Sequence, residues 1–289
     1  MPKNNNRLIL VTGATGQQGG AVLKHLRERG FPVRALTRDP SHEKARKLVG
    51  QGTEVVRGDL DDPASLTRAL DGVYGVYSVQ NWHDAGVEAE IRQGKNLTDA
   101  TKRSRVSHLV YSSVAGADQK TGIPHFDSKW QIEQHLQNSG VKYTILRPVF
   151  FMENWLLMRD TIEKGALEVP LQAETPLQMV AVDDIGAFAA MAFEKPGHWQ
   201  GQTREIAGDE LTMTGMTERL SRAESRDVAY RQVPWDDWEK RMGHEMAVMW
   251  RWFQDHGYHV DTALVRQDYP QLTGFERWLS QHWLMRRTA

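Results

Sequence analysis

No cysteine occurs among the 289 residues. Its absence excludes disulfides, thiolate catalysis and zinc–sulfur centres, and leaves the redox compartment undetermined. An excess of either charge is lacking too. The 36 Lys and Arg against 37 Asp and Glu leave a formal net charge of −1, so no general electrostatic pull toward nucleic acid or an anionic membrane is expected. No apolar run approaches the ~20 residues of a membrane span. The opening Met1-Pro-Lys-Asn-Asn-Asn-Arg7 has no apolar core of a signal peptide. A soluble, cytoplasmic protein is therefore expected. The histidines form no ligand set with carboxylates at helical spacing; His256 and His259 near Asp255 and Asp261 read as an exposed loop, and no metal site is expected. Repeats and low-complexity tracts are absent as well.

What is present begins with Leu8-Ile-Leu-Val-Thr-Gly-Ala-Thr-Gly-Gln-Gln-Gly-Gly20. Leu8 to Val11 read as an apolar strand, and residues 21–29 as a helix with Ala21, Val22, Leu23 and Leu26 apolar. Between them, Gly13 permits a sharp turn out of the strand, Gly16 a close approach of backbone to a pyrophosphate, and Gly19 tight packing of the helix, whose N-terminus faces the phosphates. Arg38 follows nineteen residues after Gly19, at the end of the next strand. An NAD site places Asp or Glu there for the ribose 2′-hydroxyl; a guanidinium suits a 2′-phosphate, so NADP(H) is the expected cofactor. Asp39 is the competing residue, and would favour NAD if it faced the ribose.

Short apolar runs alternate with helical patterns through the first half, the signature of βαβ units. Strands are expected at 31–37, 54–57, 73–79, 108–113 and 143–148. Helices are expected at 41–50 with Ser41 as N-cap, from Asp62-Pro63, at 88–104 with Ile91, Leu97, Ala100 and Thr101 on one face, and at 127–138. The expected fold is α/β, a doubly wound parallel sheet with a smaller C-terminal α+β lobe. Residues 1–150 are read as the NADP-binding domain and 151–289 as a substrate or partner lobe, with segments returning to the sheet. The second half offers helices at 183–193, 214–222 and 235–256, and six tryptophans at 235, 238, 250, 252, 278 and 283. Asp183 and Asp184 read as helix caps rather than a catalytic carboxylate pair.

Over nearly its whole length the chain resembles NmrA-like members of the atypical short-chain dehydrogenase/reductase superfamily. The resemblance rests on Val11-Thr-Gly-Ala-Thr-Gly-Gln-Gln-Gly-Gly20, Leu36-Thr-Arg-Asp-Pro40, Val56-Arg-Gly-Asp-Leu-Asp-Asp62, His125-Phe-Asp-Ser-Lys129 and Leu146-Arg-Pro-Val-Phe-Phe-Met-Glu-Asn154. The family includes transcriptional co-regulators, NADPH redox sensors and NADPH-dependent quinone reductases, so the resemblance bears more on fold and cofactor than on activity. It implies that Thr12, Thr15, Gln17 and Gln18 line the pyrophosphate loop and that Arg38 meets the 2′-phosphate. It implies that Asp59 and Leu60 flank the adenine, and that Val79, Gln80 and Asn81 pass the cofactor ribose. Lys129 would bond the nicotinamide ribose, Pro148 to Phe151, with Phe150 and Phe151 among them, would wall the nicotinamide, and Asn154 is counted among the cofactor-binding residues. Two plainer readings stand beside these: Asp59 caps a turn, and Phe150 and Phe151 are core.

Enzymes of the superfamily carry Tyr-x-x-x-Lys on a helix, where i and i+4 share a face and the lysine lowers the phenol's pKa. Here the matching pair is His125 and Lys129, and Ser112 or Ser113 stands where the superfamily's serine sits. The catalytic candidates are Lys129, His125 and Ser113; by strand alternation Tyr111 faces away from Ser112 and is not chosen. Three readings compete. His125 is the proton donor; or hydride transfer to a quinone needs no dedicated acid, because water protonates the stabilised anion; or NADPH binding only alters association with a protein partner. The expected function is an NADPH-dependent reductase of quinones or other apolar aromatic carbonyl compounds. The alternative is a non-catalytic NADPH redox sensor or regulator that binds a protein partner; under either reading a monomer or homodimer is expected.

Overall fold

Ile9, Leu10 and Val11 are all fully buried, as in a strand covered on both faces. They form β1 (Ile9–Val11) of a seven-stranded sheet in the computed structural model, which describes residues 4–284. The chain continues through α1 (Gln17–Glu28), β2 (Val33–Thr37), α2 (Glu43–Gly50), β3 (Glu54–Arg57), α3 (Pro63–Ala69) and β4 (Gly75–Ser78). It then forms α4 (Trp82–Ala85), α5 (Val87–Arg103), β5 (His108–Ser112), α6 (Pro124–Ser139) and β6 (Tyr143–Pro148). A seventh strand, Thr203–Ile206, comes from much later in the chain. The sheet order is seventh strand, β6, β5, β4, β1, β2, β3. β1 pairs parallel with both β2 and β4, Val11 standing opposite Ala35 on one side and Tyr77 on the other. The chain thus winds outward from β1 in one direction and then in the other, and the order reverses between β1 and β4, whose carboxyl ends are where sheets of this kind bind ligands. This is the doubly wound parallel sheet that the sequence predicts.

Local chemistry moves several boundaries. α1 starts at Gln17 rather than residue 21, because Gln17, Gln18, Gly19 and Gly20 form a first turn with no apolar period to reveal it. The N-cap of α2 is His42, whose Nδ1 accepts the Lys44 N–H at 3.3 Å, and not Ser41. Ser41 is occupied by Asp39, whose carboxylate takes its N–H at 2.8 Å and its hydroxyl at 2.5 Å. α3 starts as expected, with the Asp62 carboxylate accepting the Ala64 N–H and Pro63 following the cap. α6 starts at Pro124, three residues earlier than its apolar pattern, which brings His125 and Lys129 onto one helix.

Two compact units are present: residues 4–118, 124–147 and 185–204, and residues 119–123, 148–184 and 205–284. The second unit is α+β. Its three-stranded sheet runs Asp209–Thr212, Pro176–Val180, Phe150–Phe151, and a parallel pair joins Ala166–Val169 to Ala229–Gln232. The helix expected over 235–256 is two, Trp235–Met242 and His244–Asp255, interrupted at Gly243. Asp183 and Asp184 lie inside the first turn of Val182–Glu194 rather than capping it. The Asp184 carboxylate instead accepts the N–H and hydroxyl of Thr273 at 2.8 and 3.1 Å. Of the lobe's tryptophans, Trp238, Trp250, Trp252, Trp278 and Trp283 are at most 7 % exposed. They are core rather than a docking face, Trp250 meeting Phe150, Trp155, Trp238 and Phe253 edge to face. Among the described residues no helix is long and apolar enough to cross a membrane.

Candidate active site

The first unit's site is built on the turn between β1 and α1. Thr12 Oγ1 accepts the Val79 N–H at 2.8 Å and donates to the Val79 carbonyl at 2.9 Å, binding the ends of β1 and β4 together. Gly13 follows with φ +61°, and a Cβ there would meet Val79 Cγ1 at 2.9 Å. At Gly19 a Cβ would lie 2.2 Å from the Gly13 carbonyl oxygen. The first turn of α1 therefore rests on the loop with no space for a methyl group. Gly16 caps that helix without a side chain, and Gly13, Thr15, Gly16 and Gln17 are exposed. An uncapped N-terminus leaves its first N–H groups without intrahelical partners and favours negative charge. Gln18 departs from the expectation that it lines the loop. Its Oε1 accepts the Ser112 hydroxyl at 2.6 Å and the Tyr77 hydroxyl at 3.2 Å, so it ties α1 to β4 and β5.

At the β2 and β3 ends, Arg38 is exposed while Asp39 is held in its own turn, the Ser41 bonds keeping its carboxyl below the usual range. The charge facing Arg38 is Asp61, itself bound by Arg92 at 2.7 Å and Gln93 at 2.8 Å. Asp59 takes the plainer reading in geometry: its carboxylate accepts the Asp61 N–H at 2.9 Å in a local turn. Leu60 packs on the core, and its carbonyl accepts from Asn96 at 3.0 Å.

Beyond β4, Gln80 is buried, its amide donating to Ser78 Oγ at 3.0 Å, while Val79 is half-buried. Asn81 caps α4 by accepting the His83 N–H at 3.1 Å. That places Trp82 flat on the His125 ring, with centroids 4.5 Å apart and an 11° interplanar angle. His125 is 6 % exposed and also meets Phe126 edge to face. One turn further along α6, Lys129 Nζ lies 2.6 Å from Glu90 Oε1 on α5. The other Glu90 oxygen accepts a short hydrogen bond from Ser128 Oγ. Glu90 is fully buried, and the sequence reading missed it. The available signal was a carboxylate on the buried stripe Glu90, Gly94, Leu97, Thr101 of an otherwise amphipathic helix.

Ser113 is 4 % exposed, and its hydroxyl has no hydrogen-bond partner among the described residues. Tyr111 is buried, and its hydroxyl has no partner among the described residues; burial, reinforced by the charges of Glu90 and Glu133, pushes its phenol well up, which makes it a poor acid near neutral pH. Arg147 binds Glu133 with two nitrogens, at 2.9 and 2.7 Å, and Asp118 with the third at 2.9 Å. It locks β6 to α6.

The remaining expected residues, Pro148, Phe150, Phe151 and Asn154, belong to the second unit. Phe150 is core there, 5.4 Å from Trp155. Phe151 pairs with Val180, and Asn154 sits half-buried in the 3₁₀ segment Met152–Met158. Among the described residues no group of three His, Asp or Glu is placed to hold a metal ion.

The sequence model of the NmrA-like family matches residues 5–279. The chain belongs to the NmrA-like family. Among its relatives is an NAD(P)H azoreductase of Xenophilus azovorans, 34 % identical over 77 % of this chain and 76 % of that protein. Among solved structures, the NADPH-dependent quinone oxidoreductase of Escherichia coli in complex with NADPH is 26 % identical, with a TM-score of 0.82 over 95 % of this chain and 99 % of that one. The negative transcriptional regulator NmrA, solved with NADP, shares the fold at 19 % identity, with a TM-score of 0.82 over 98 % of each chain.

Proposed function

We propose that this NmrA-like chain is an NADP(H)-dependent reductase of small, flat, apolar acceptors, with quinones and azo compounds as the leading classes. The observation that carries the reading is the cradle at Gly13 and Gly19, where added Cβ atoms would meet neighbours at 2.9 and 2.2 Å beside an uncapped helix N-terminus. Backbone this bare beside a helix dipole suits a pyrophosphate. Arg38 is the residue for the 2′-phosphate, since Asp39 is spent on Ser41. Both the azoreductase and the quinone oxidoreductase among the relatives act on acceptors of this kind by name.

Bound NADPH supplies a hydride. The first-turn N–H groups of α1 would hold the pyrophosphate, and Lys129, paired with Glu90, would donate to the nicotinamide ribose. Ser113 offers an unused hydroxyl for the ribose or the acceptor. His125, with Trp82 stacked on one face, serves as an aromatic wall, and the reduced acceptor takes its proton from water. This answers the missing tyrosine without giving its role to another acid.

The test is steady oxidation of NADPH by the pure protein with a panel of quinones, azo dyes and aromatic aldehydes. Turnover of at least one class, surviving His125→Phe, is expected. Tight NADPH binding with no acceptor consumed would refute the reductase reading and leave the sensor. Activity abolished by His125→Phe, with the fold intact, would restore the histidine as proton donor.

A further inference from the structure

We propose that Glu90 is a positioning residue that holds Lys129 and balances its charge, so that the site accepts the oxidised cofactor as well as the reduced one. The proposal rests on the reading of Lys129 as the ribose ligand.

Glu90 enters on the first turn of α5, where its N–H donates to the Gly86 carbonyl at 3.0 Å. Its side chain is 0 % exposed, and that of Lys129 is 12 % exposed. An ionised carboxylate taken out of water is tolerated only when paired and hydrogen-bonded. Both Glu90 oxygens meet that condition through consecutive residues of α6: Lys129 Nζ at 2.6 Å on one and Ser128 Oγ on the other. The α5–α6 crossing thereby holds the lysine in place. An ammonium has three donors, so one bond to Glu90 leaves two for a ligand. A side chain with Lys's rotamer freedom loses less on binding when it is already ordered.

The ion pair has a second consequence. The nicotinamide ring is neutral when reduced and cationic when oxidised. A bare ammonium at the nicotinamide ribose would repel the oxidised ring selectively. With Glu90 against it, the pair presents no net charge. The carboxylate therefore sets the ratio of NADP⁺ to NADPH affinity, a quantity that general structural damage, which weakens both forms alike, does not move.

The experiment titrates NADPH and NADP⁺ separately into wild type, Glu90→Gln, Glu90→Leu, Glu90→Asp and Lys129→Met, with circular dichroism and thermal melts as the check on folding. In Glu90→Gln the dissociation-constant ratio of NADP⁺ to NADPH should rise at least about tenfold, the effect of one uncompensated charge ~12 Å away through an effective dielectric of ~20, and more if the charge lies closer. Glu90→Asp, which keeps the charge, should stay close to wild type. Lys129→Met removes the ribose ligand and should weaken both cofactor forms, while Glu90→Leu, neutral and apolar, should raise the ratio as Glu90→Gln does and tests the proposal where Glu90→Gln does not fold. An unchanged ratio in the folded neutral Glu90 variants, with NADPH binding weakened by Lys129→Met, overturns the role of Glu90 alone. NADPH affinity untouched by Lys129→Met overturns the reading of Lys129 itself.

Discussion

Gly19 shows how one missing atom defines a site. The carbonyl of Gly13 occupies the position a side chain would need, at 2.2 Å from an ideal Cβ, and both partners are backbone, which cannot rotate aside. Spacing alone predicts glycines at 13, 16 and 19; it does not tell that Gly19 faces the loop while Gln18 beside it faces the sheet. Arg38 and Asp39 show the same limit. Adjacent residues after a strand compete for one ribose, and the hydrogen bonds of Ser41 decide where Asp39 goes. For Arg38→Ala, NADPH affinity should fall by about 1.5–3 kcal/mol, the worth of a hydrogen bond to a charged group. NADH affinity should change little. Parallel titrations of the two cofactors check this, and equal losses would remove Arg38 from the 2′-phosphate.

Among the elements, the pairing of α5 with α6 positions most of the candidate chemistry. The helices cross at Gly94, where an ideal Cβ would sit 2.6–2.8 Å from three side-chain atoms of Ile132, itself 1 % exposed. The crossing brings Glu90 against Ser128 and Lys129, and Arg147 then fastens β6 to the same helix through Glu133. Gly94→Val should overpack this contact, lower stability by about 1–3 kcal/mol, and weaken NADPH binding by displacing Lys129. Urea denaturation and a cofactor titration read the two effects. A variant as stable as wild type would mean that Ile132 rotates away without cost. The strands and most helices were legible as apolar periods. Their first turns were not, because α1 and α6 open with residues that carry no such period.

For the whole molecule, one contribution to acid sensitivity comes from a buried imidazole. His108 on β5 is 0 % exposed. Its Nε2 lies 2.9 Å from Thr144 Oγ1, and that hydroxyl donates to the Trp199 carbonyl at 2.7 Å, so the imidazole is the donor in the first contact. Nδ1 has no partner among the described residues. A proton added there would bury an unpaired charge, and burial pulls the His108 pKa down to about 4. The unfolded chain takes up that proton near pH 6.5. The contribution of His108 is thus fully present above about 6.5 and is lost as pH falls from 6.5 to 4, by on the order of 3 kcal/mol. In His108→Gln the unfolding free energy should fall less steeply over this window, measured by denaturant titration at several pH values. An unaltered slope would place the titration elsewhere.

Sequence alone determined the glycine loop, the parallel sheet and the family, because these follow from local backbone freedom and from the periods of buried strands and helices. Tertiary structure decided the rest. It turned Gln18 inward, buried the lobe's tryptophans as core, and sent residues 185–204 to the first unit. It also put Glu90 against Lys129, 39 residues apart in sequence. A carboxylate is an unremarkable residue on a helix until the helix packs; only then does the cost of burying its charge require a particular partner.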